Sequence, residues 1–252
     1  MTVVLKLGGS VITRKSEPET IAESALDAAA EAVAGTEEDV VVVHGGGSFG
    51  HHHADRHGVS TTDGTDDAVA VTDVHDAMKR LNDAVVERLQ DHGVSAVPVH
   101  PFSLASRDED GALSLPTDGI EAMLGEGFVP VLHGDMVVHS GDGATVLSGD
   151  ELVVALGRAL PVDRVGLCSA VPGVLDSADE VVPRIENFAE VADVLGASDA
   201  TDVTGGMAAK VRTLLDLPVP AVVFGLDDLD AFLAGSAPGT VVAGSTPPND
   251  SR

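Results

Sequence analysis

The chain has 252 residues, 44% of them hydrophobic, with one cysteine and a formal net charge of −27. This length suits one large α/β domain, and a single thiol excludes an intrachain disulfide. The charge argues against nucleic acid or an anionic membrane as a partner, because the long-range field of the protein repels both. With no apparent signal peptide and no apolar stretch of about 18 residues, the sequence predicts a cytoplasmic protein.

The acidic residues are spread along the whole chain, and lysine is scarce. High salt screens such a charge, since the Debye length is about 3 Å at 1 M, so we interpret the composition as an adaptation to a halophilic cytoplasm. A chain so poor in lysine is expected to keep it where an ammonium group is required. The four lysines are Lys6, Lys15, Lys79 and Lys210.

Six short apolar runs, rich in β-branched residues, alternate with helical patterns along the chain. Near-continuous hydrophobicity of this kind is typical of strands buried on both faces of a parallel sheet. The alternation predicts an α/β fold, a three-layer αβα sandwich with a central, mostly parallel sheet. The predicted strands are residues 3–7, 39–44, 95–100, 128–132, 164–169 and 221–224.

The helices are predicted from capping signals and periodicity. Ser16 can cap a first helix with Pro18 in its first turn, and Gly35 ends it. Apolar residues three and four apart predict a long helix over residues 66–91. Further helices are predicted after residue 150, at 186–195 and at 206–215, and a hairpin at 136–146. A boundary near residues 157–163 would separate an N-terminal lobe, residues 1–160, from a C-terminal lobe, residues 161–252, within one continuous domain.

Glycine-rich loops follow three of the predicted strands, at residues 6–10 (Lys-Leu-Gly-Gly-Ser), 44–51 (His-Gly-Gly-Gly-Ser-Phe-Gly-His) and 132–135 (Leu-His-Gly-Asp). Ligands of open α/β sheets bind outside the carboxyl ends of the strands, where bare backbone N–H groups can hold an anion. The alternative is that the glycines only make tight turns. Neither the P-loop nor the Rossmann pattern is present, so phosphate binding would use another architecture.

The C-terminal half carries a second candidate phosphate site at residues 202–210 (Asp-Val-Thr-Gly-Gly-Met-Ala-Ala-Lys). It places a glycine pair at a predicted helix start with Lys210 one turn further on, which suits the phosphates of a nucleotide. Asp150, in the turn Ser-Gly-Asp at 148–150, could organise the lysines or meet Mg²⁺. It could equally be a helix N-cap.

Three consecutive histidines, at 51–53, follow the second glycine loop. A metal site is not favoured, because no cysteine or well-spaced acid completes one. His51, at the lip of the loop, is better explained as a donor to a phosphate, and we expect His52, His53 and His57 to be solvated. His75, on the long helix, could belong to the core or to a pocket wall.

These motifs, in this order over residues 3 to about 224, resemble the amino acid kinase family. Within that family, residues 44–51 and residues 11–15 (Val-Ile-Thr-Arg-Lys) resemble the isopentenyl phosphate kinase group. The resemblance implies the amino acid kinase fold, ATP with Mg²⁺, isopentenyl phosphate as the acceptor, and a homodimer. One departure lies at residues 169–174 (Ser-Ala-Val-Pro-Gly-Val), where the family often has Thr-Asp-Val-Asp-Gly-Val, so we assign no nucleotide-base contact there.

The resemblance also implies roles for single residues. The catalytic residues would be His51 on the acceptor phosphate, Lys15 at the phosphoryl transfer and Lys6 on the nucleotide phosphates. The ATP contacts would be Lys6, Gly8, Gly9, Ser10, Gly47, Asp150, Gly206 and Lys210, and the acceptor phosphate would also contact Gly46 and Gly149. The N-terminal lobe would bind the acceptor and the C-terminal lobe ATP. An apolar pocket for the isoprenoid tail can come from Val71, Val74 and Met78 on the long helix, although ordinary core packing explains these three as well.

Two alternatives stay open at this point. One is another small-acid or phosphonate kinase of the same fold, acting on acetylglutamate, uridylate or fosfomycin. A carboxylate acceptor should require an arginine-rich pocket, yet the loops on the acceptor side offer only Arg14 and Arg56. The other alternative is a nucleotide sensor without catalysis, which would not need Lys15 and His51 together between two phosphates.

Overall fold

The computed structural model describes residues 1–195 and 206–244. Within these ranges, most strands belong to one large, mostly parallel sheet, and a smaller sheet packs beside it. The described strands are β1 (Thr2–Leu7), β2 (Asp39–His44), β3 (Ala96–Pro98), β4 (Ser106–Arg107), β5 (Leu113–Ser114), β6 (Val129–His133), β7 (Asp135–His139), β8 (Gly143–Leu147), β9 (Arg164–Ser169), β10 (Arg184–Ile185), β11 (Ala221–Gly225) and β12 (Thr240–Val242).

The large sheet of the described residues has the order β10-β12-β11-β9-β1-β2-β6-β3. All its pairings are parallel except the one between β11 and β12. The six predicted strands are confirmed, and they are the six neighbouring strands from β11 to β3. The carboxyl ends of β1, β2, β6 and β9 therefore lie together at one edge of the sheet. β10 and β12 were missed because each has only two or three residues.

The smaller sheet contains the predicted hairpin. β7 and β8 pair antiparallel, with Val137 opposite Thr145. β4 and β5 extend this sheet on the other side of β7. β6 and β7 are separated by Gly134 alone, so the hairpin projects from the edge at which the carboxyl ends of the central strands meet.

Helices cover both faces of the large sheet. The described helices are α1 (Gly9–Ile12), α2 (Glu23–Ala34), α3 (Gly47–His57), α4 (Ala68–Asp91), α5 (Asp118–Gly125), α6 (Gly149–Ala159), α7 (Ala192–Leu195), α8 (Gly206–Leu215) and α9 (Leu229–Leu233). Alternate residues of each central strand point into different cores. Val4 packs with the core that holds Leu152 of α6, whereas Leu5 packs with the core that holds Leu81 of α4. The αβα sandwich explains why both faces of these strands are apolar.

Two predicted helices differ in the structure. α2 begins at Glu23 rather than near Ser16, because the backbone of residues 13–22 bonds across the segment instead of along a helix. Arg14 N–H donates to the Thr20 carbonyl at 2.9 Å, and Ala22 N–H donates to the Ile12 carbonyl at 2.9 Å. The predicted helix at 186–195 is a 3₁₀ turn at Phe188–Glu190 followed by the short α7.

No helix in the described parts of the chain is long and apolar enough to cross a membrane.

Candidate active site

One cleft at the carboxyl edge of the sheet contains most of the predicted site residues. Lys6, Lys15, His51 and Lys210 all line it, although they come from four different elements. Val71 does not line the cleft. Gly206 begins α8, the helix that carries Lys210, and residues 202–205 of that motif lie outside the described residues. The other predicted residues that line the cleft are Gly8, Gly9, Ser10, Gly46, Gly47, Gly149, Asp150, Val74 and Met78.

Lys6 and Asp150 form an ion pair at the floor of the cleft. The Lys6 Nζ lies 2.7 Å from Asp150 Oδ1, and Lys6 is 8% exposed. Burial lowers the pKa of Lys6 below its ordinary value; Asp150 opposes this shift, and the charge of Lys210 adds to it. Burial acts to raise the pKa of Asp150, but Lys6 and Lys210 outweigh it and hold that pKa below its ordinary value. A phosphate entering here would further favour the charged ammonium groups.

One of the two interpretations from the sequence made Asp150 the N-cap of α6, and this interpretation is wrong. Ser148 is the cap, and it forms a capping box with Glu151: each side chain accepts a hydrogen bond from the other residue's backbone N–H. Because Asp150 does not cap the helix, its carboxylate can pair with Lys6. The start of α6 lines the cleft together with the start of α3, so two helix N-termini contribute positive partial charge there.

The first two glycine loops touch each other through their backbones. A Cβ placed on Gly9 would lie 2.3 Å from the amide nitrogen of Gly47, and one on Gly45 would lie 2.8 Å from the amide nitrogen of Gly9. Glycine is thus required at these positions for packing, whatever the loops bind. The sequence argument treated tight turns and anion binding as alternatives, but close packing of the loops is a third reason for the same residues.

Gly47→Ala is expected to destabilise the protein by at least about 3 kcal/mol, because strain and overlap add. Gly47 has φ +50, and its Cβ would lie 2.1 Å from Thr13 Oγ1. Gly58→Ala is the matched control, since Gly58 has φ +65 with nothing within 4 Å of its Cβ position; it should cost about 1 kcal/mol. Urea unfolding in molar KCl measures both. Equal losses would show that contact between the loops is unimportant.

Part of the lining of the cleft is apolar. Val74 and Met78 of α4 line it together with Val59 and Val146. Val74 also belongs to a small buried cluster whose other members come from α3, the loop after it and the β7–β8 hairpin. Val71 packs against this cluster without lining the cleft. The same group of side chains therefore forms part of the pocket wall and packs in the core.

The histidines after the second glycine loop were only partly predicted. His53 is 6% exposed, which contradicts the expectation that it is solvated, and His57 is half-buried. The cause is Asp73 of α4, whose Oδ2 lies 2.9 Å from His53 Nδ1 and 2.8 Å from His57 Nε2. His75 is mostly buried and lies 2.8 Å from Asp135; since Asp135 lines the cleft, His75 stands behind the pocket wall.

The sequence analysis missed several residues that line the cleft. Asp55 lies one helical turn after His51 on α3, so its i+4 spacing was an available signal. Asp135 is the last residue of the third glycine-rich loop, at the edge where ligands were expected, but it was given no role. Ser60 and Thr61 carry no motif and reach the cleft only through the turn after α3. Cys168 also lines it, but burial raises the pKa of that thiol to about 12, so it is not a nucleophile.

Two buried histidines lie behind the glycine loops, at the ends of β2 and β6. The rings of His44 and His133 stack with centroids 5.6 Å apart, and His44 Nε2 lies 3.0 Å from Asn82 Oδ1. Burial lowers the pKa of His44 to about 4 and that of His133 well below its ordinary value. Both rings are therefore neutral at neutral pH.

These low pKa values predict a loss of stability in mild acid. The unfolded chain binds a proton at His44 near pH 6.5, whereas the folded protein does so only near pH 4. The free energy of unfolding should therefore fall by about 3 kcal/mol as the pH decreases through this window, from His44 alone. Urea unfolding between pH 7 and 4 measures it, with His44→Gln as the comparison. An unchanged pH dependence in this variant would contradict the assignment.

A sheet edge with cationic side chains, helix N-termini and an adjoining apolar pocket defines a phosphotransferase for a small molecule. Comparison of the sequence with known protein families identifies the family. The amino acid kinase family matches residues 1–218, and the chain belongs to it.

Several relatives of the chain within this family are isopentenyl phosphate kinases. The isopentenyl phosphate kinase of Haloferax volcanii is 63% identical over 244 residues, which is 96% of this chain and 98% of the relative. That of Methanocaldococcus jannaschii is 31% identical over 226 residues, or 84% of this chain and 85% of the relative. An X-ray structure of isopentenyl phosphate kinase matches with a TM-score of 0.82 at 27% identity, covering 96% of this chain and 99% of that one.

Proposed function

We propose that the chain transfers the γ-phosphoryl group of ATP to isopentenyl phosphate and so makes isopentenyl diphosphate for isoprenoid biosynthesis. The bond between the γ-phosphorus and the β–γ bridging oxygen breaks, an oxygen of the acceptor phosphate bonds to that phosphorus, and ADP leaves. The observation that carries this proposal is one cleft lined both by Lys6, Lys15 and His51 and by apolar side chains that include Val74 and Met78. The names of the two relatives given above agree with it.

The acceptor phosphate is assigned to His51, Gly46 and Gly149. Gly46 and Gly149 stand at the starts of α3 and α6, and the Sδ of Met78 lies 3.6 Å from the Cβ position of Gly46. The isoprenoid tail would then extend along Val74 and Met78. A tail of this kind gains free energy by leaving water, at about 25 cal/mol per Å² of apolar surface.

ATP is assigned to the other side of the cleft, where Lys6, Lys210 and Asp150 form a charged group. Gly9, Ser10 and Gly47 would offer backbone N–H groups to the phosphates, and Gly206 would do so from the start of α8. The N–H of Gly8 donates to the Cys168 carbonyl at 2.9 Å, so Gly8 would contact ATP only by close approach. In this assignment residues 1–160 form the acceptor lobe and residues 161–252 the ATP lobe. The large sheet runs continuously through both, since β9 pairs with β1.

Catalysis in this proposal is positioning and charge stabilisation. The acceptor is already a phosphate, so no proton has to be removed near neutral pH, and the protein needs no nucleophile of its own. Two polyanions must meet in line, and Lys6, Lys15 and His51 would offset their repulsion. A net charge of −27 makes these local cations more necessary.

Mg²⁺ is expected to enter with ATP and to neutralise charge on its phosphates. This ion usually keeps several waters and takes one or two carboxylates together with substrate phosphates. Within residues 1–195 and 206–244, no group of three or more His, Cys, Asp or Glu side chains could hold a metal ion. Asp150 lies on the phosphate side of the cleft and is the protein carboxylate that we assign to an ion carried mainly by ATP.

Turnover of a panel of acceptors tests the proposal. The purified chain, in molar KCl with Mg²⁺ and ATP, is given isopentenyl phosphate, acetylglutamate or UMP, and ADP release is followed by a coupled assay. The value of kcat/KM should be higher for isopentenyl phosphate by on the order of 10²-fold or more. Equal or better turnover of either rival would overturn the substrate assignment. A cytoplasmic location and a homodimer stay predictions.

A further inference from the structure

Lys15 lies at the exposed tip of a segment that is bonded to the start of α3 near its two ends. We call residues 13–22 the Lys15 segment. Its base is tied to the start of α3, because Ser48 N–H donates to Thr13 Oγ1 at 2.9 Å and Thr20 N–H donates to Ser48 Oγ at 3.2 Å. The tip, residues 14–19, is exposed. A lysine at such a tip needs a further contact if it is to stand at a fixed place over the cleft.

Glu19 supplies that contact. Its Oε1 lies 2.5 Å from His53 Nε2 of α3 and 2.7 Å from Arg80 Nη2 of α4. Glu19 also has φ 48, a left-handed conformation that costs free energy in a residue with a side chain. The strained residue is therefore the one whose carboxylate contacts both α3 and α4.

His53 lies between two carboxylates. Its Nδ1 is 2.9 Å from Asp73 Oδ2, and its Nε2 faces Glu19. A neutral imidazole has one N–H and could donate to only one of them, so this geometry requires both ring nitrogens to carry a proton. His57 and Arg56, which lie 2.8 Å and 3.6 Å from Asp73, share that carboxylate, and the edge of His52 contacts the His53 ring.

We propose that Glu19, His53 and Asp73 form a clasp that fastens the Lys15 segment to α3 and α4 and so positions Lys15 for phosphoryl transfer. His53 and Glu19 are positioning residues, because neither lines the cleft and both act through Lys15. The catalytic part of this inference rests on the proposed function of Lys15. The structural part, the closing of the segment by the clasp, does not.

The clasp should weaken at alkaline pH. Burial acts to lower the pKa of His53, but the hydrogen bonds to Asp73 and Glu19 outweigh it and raise that pKa above its ordinary value. The pKa of Asp73 is lowered to about 2 by His53 and His57. The interaction is therefore complete from about pH 4, where the carboxylates are ionised, and is lost as the pH rises through the raised pKa of His53.

A lysine-specific endoprotease tests the closing of the segment without any substrate. Cleavage after Lys15 requires the segment to open, and the other three lysines lie in a strand or in helices. Glu19→Ala should accelerate this cleavage about tenfold or more, which is the loss expected for a charge-assisted hydrogen bond. His53→Asn should do the same. Glu17→Ala is the matched control, since Glu17 lies on the same segment with Arg14 at 3.9 Å as its ion-pair partner, and it should be cleaved at the wild-type rate.

Kinetics on the same proteins test the positioning. Glu19→Ala should lower kcat about tenfold with KM for ATP nearly unchanged, and the wild-type kcat should show an alkaline decline that is absent in His53→Asn. Thermal unfolding in molar KCl confirms that the variants are folded. Wild-type cleavage and kcat in Glu19→Ala would overturn the clasp, and faster cleavage with unchanged kcat would overturn its role in positioning. A wild-type chain that does not phosphorylate isopentenyl phosphate would instead contradict the proposed function, while the cleavage result would stand.

Discussion

Replacing His51 by alanine is expected to lower kcat by about 10² to 10³, while ATP binds with nearly unchanged affinity. The loss is that of a donor aimed at charge in the transition state. His51 lies in the second turn of α3 and lines the cleft beside Gly46 and Gly50. Lys6 and Lys210, which we assign to ATP, are unaffected by the substitution. Steady-state kinetics with isopentenyl phosphate and a direct ATP-binding measurement separate the two effects.

The neighbouring histidine provides the control for this prediction. His52 is exposed on the same helix and does not line the cleft, so His52→Ala should retain near wild-type kcat. His51→Gln keeps one donor and should recover part of the lost activity. A His51→Ala enzyme with near wild-type kcat would show that the histidine has no part in the transfer.

Lys6→Met is the second substitution with a large expected effect, because it removes a cation that we assign to catalysis and leaves the Asp150 carboxylate without its nearest partner. The ion pair with Asp150 is at the floor of the cleft, with side chains that are 10% and 28% exposed. Breaking such a pair should cost roughly 2 to 3 kcal/mol of stability. Loss of the positive charge that Lys6 would place beside the transferred phosphoryl group should lower kcat by about 10³ or more.

A double variant separates these two effects. Lys6→Met combined with Asp150→Asn removes both charges, so stability should return most of the way to the wild-type value. Turnover should stay low, since the cation is still missing. Urea unfolding and kcat are measured on the wild type, the two single variants and the double variant. Recovery of turnover in the double variant would mean that Lys6 has only a structural role.

The central strands could be predicted from the sequence because each is buried on both faces, and a run of β-branched residues reports this directly. β10 and β12 are too short to give such a pattern. The first helix was misplaced because Ser16 and Pro18 are strong local start signals, but the segment around them bonds to Ser48, which lies far along the chain. In this segment the tertiary contact with Ser48 overrides the local propensity to start a helix.

The site could be predicted as far as its residues sit at strand ends or helix starts. Parallel strands bring such positions together, so Lys6 and His51 could be placed at one edge of the sheet from the sequence, whereas Gly149 was named from the family resemblance. His53 was misjudged because its burial depends on Asp73, which lies 20 residues away, and on Glu19, whose exposed segment gives no periodic signal. The packing between Gly9 and Gly47 is likewise a contact between loops that no local pattern reports.

The central claim is that one cleft holds two phosphorylated molecules end to end. A crystal structure of the chain with a non-hydrolysable ATP analogue and isopentenyl phosphate tests it most directly. We expect the acceptor phosphate within hydrogen-bond distance of His51, the γ-phosphate of the analogue between it and Lys6, and the tail along Val74 and Met78. Ligands bound in separate places, or an acceptor phosphate remote from both His51 and the γ-phosphate, would contradict the account.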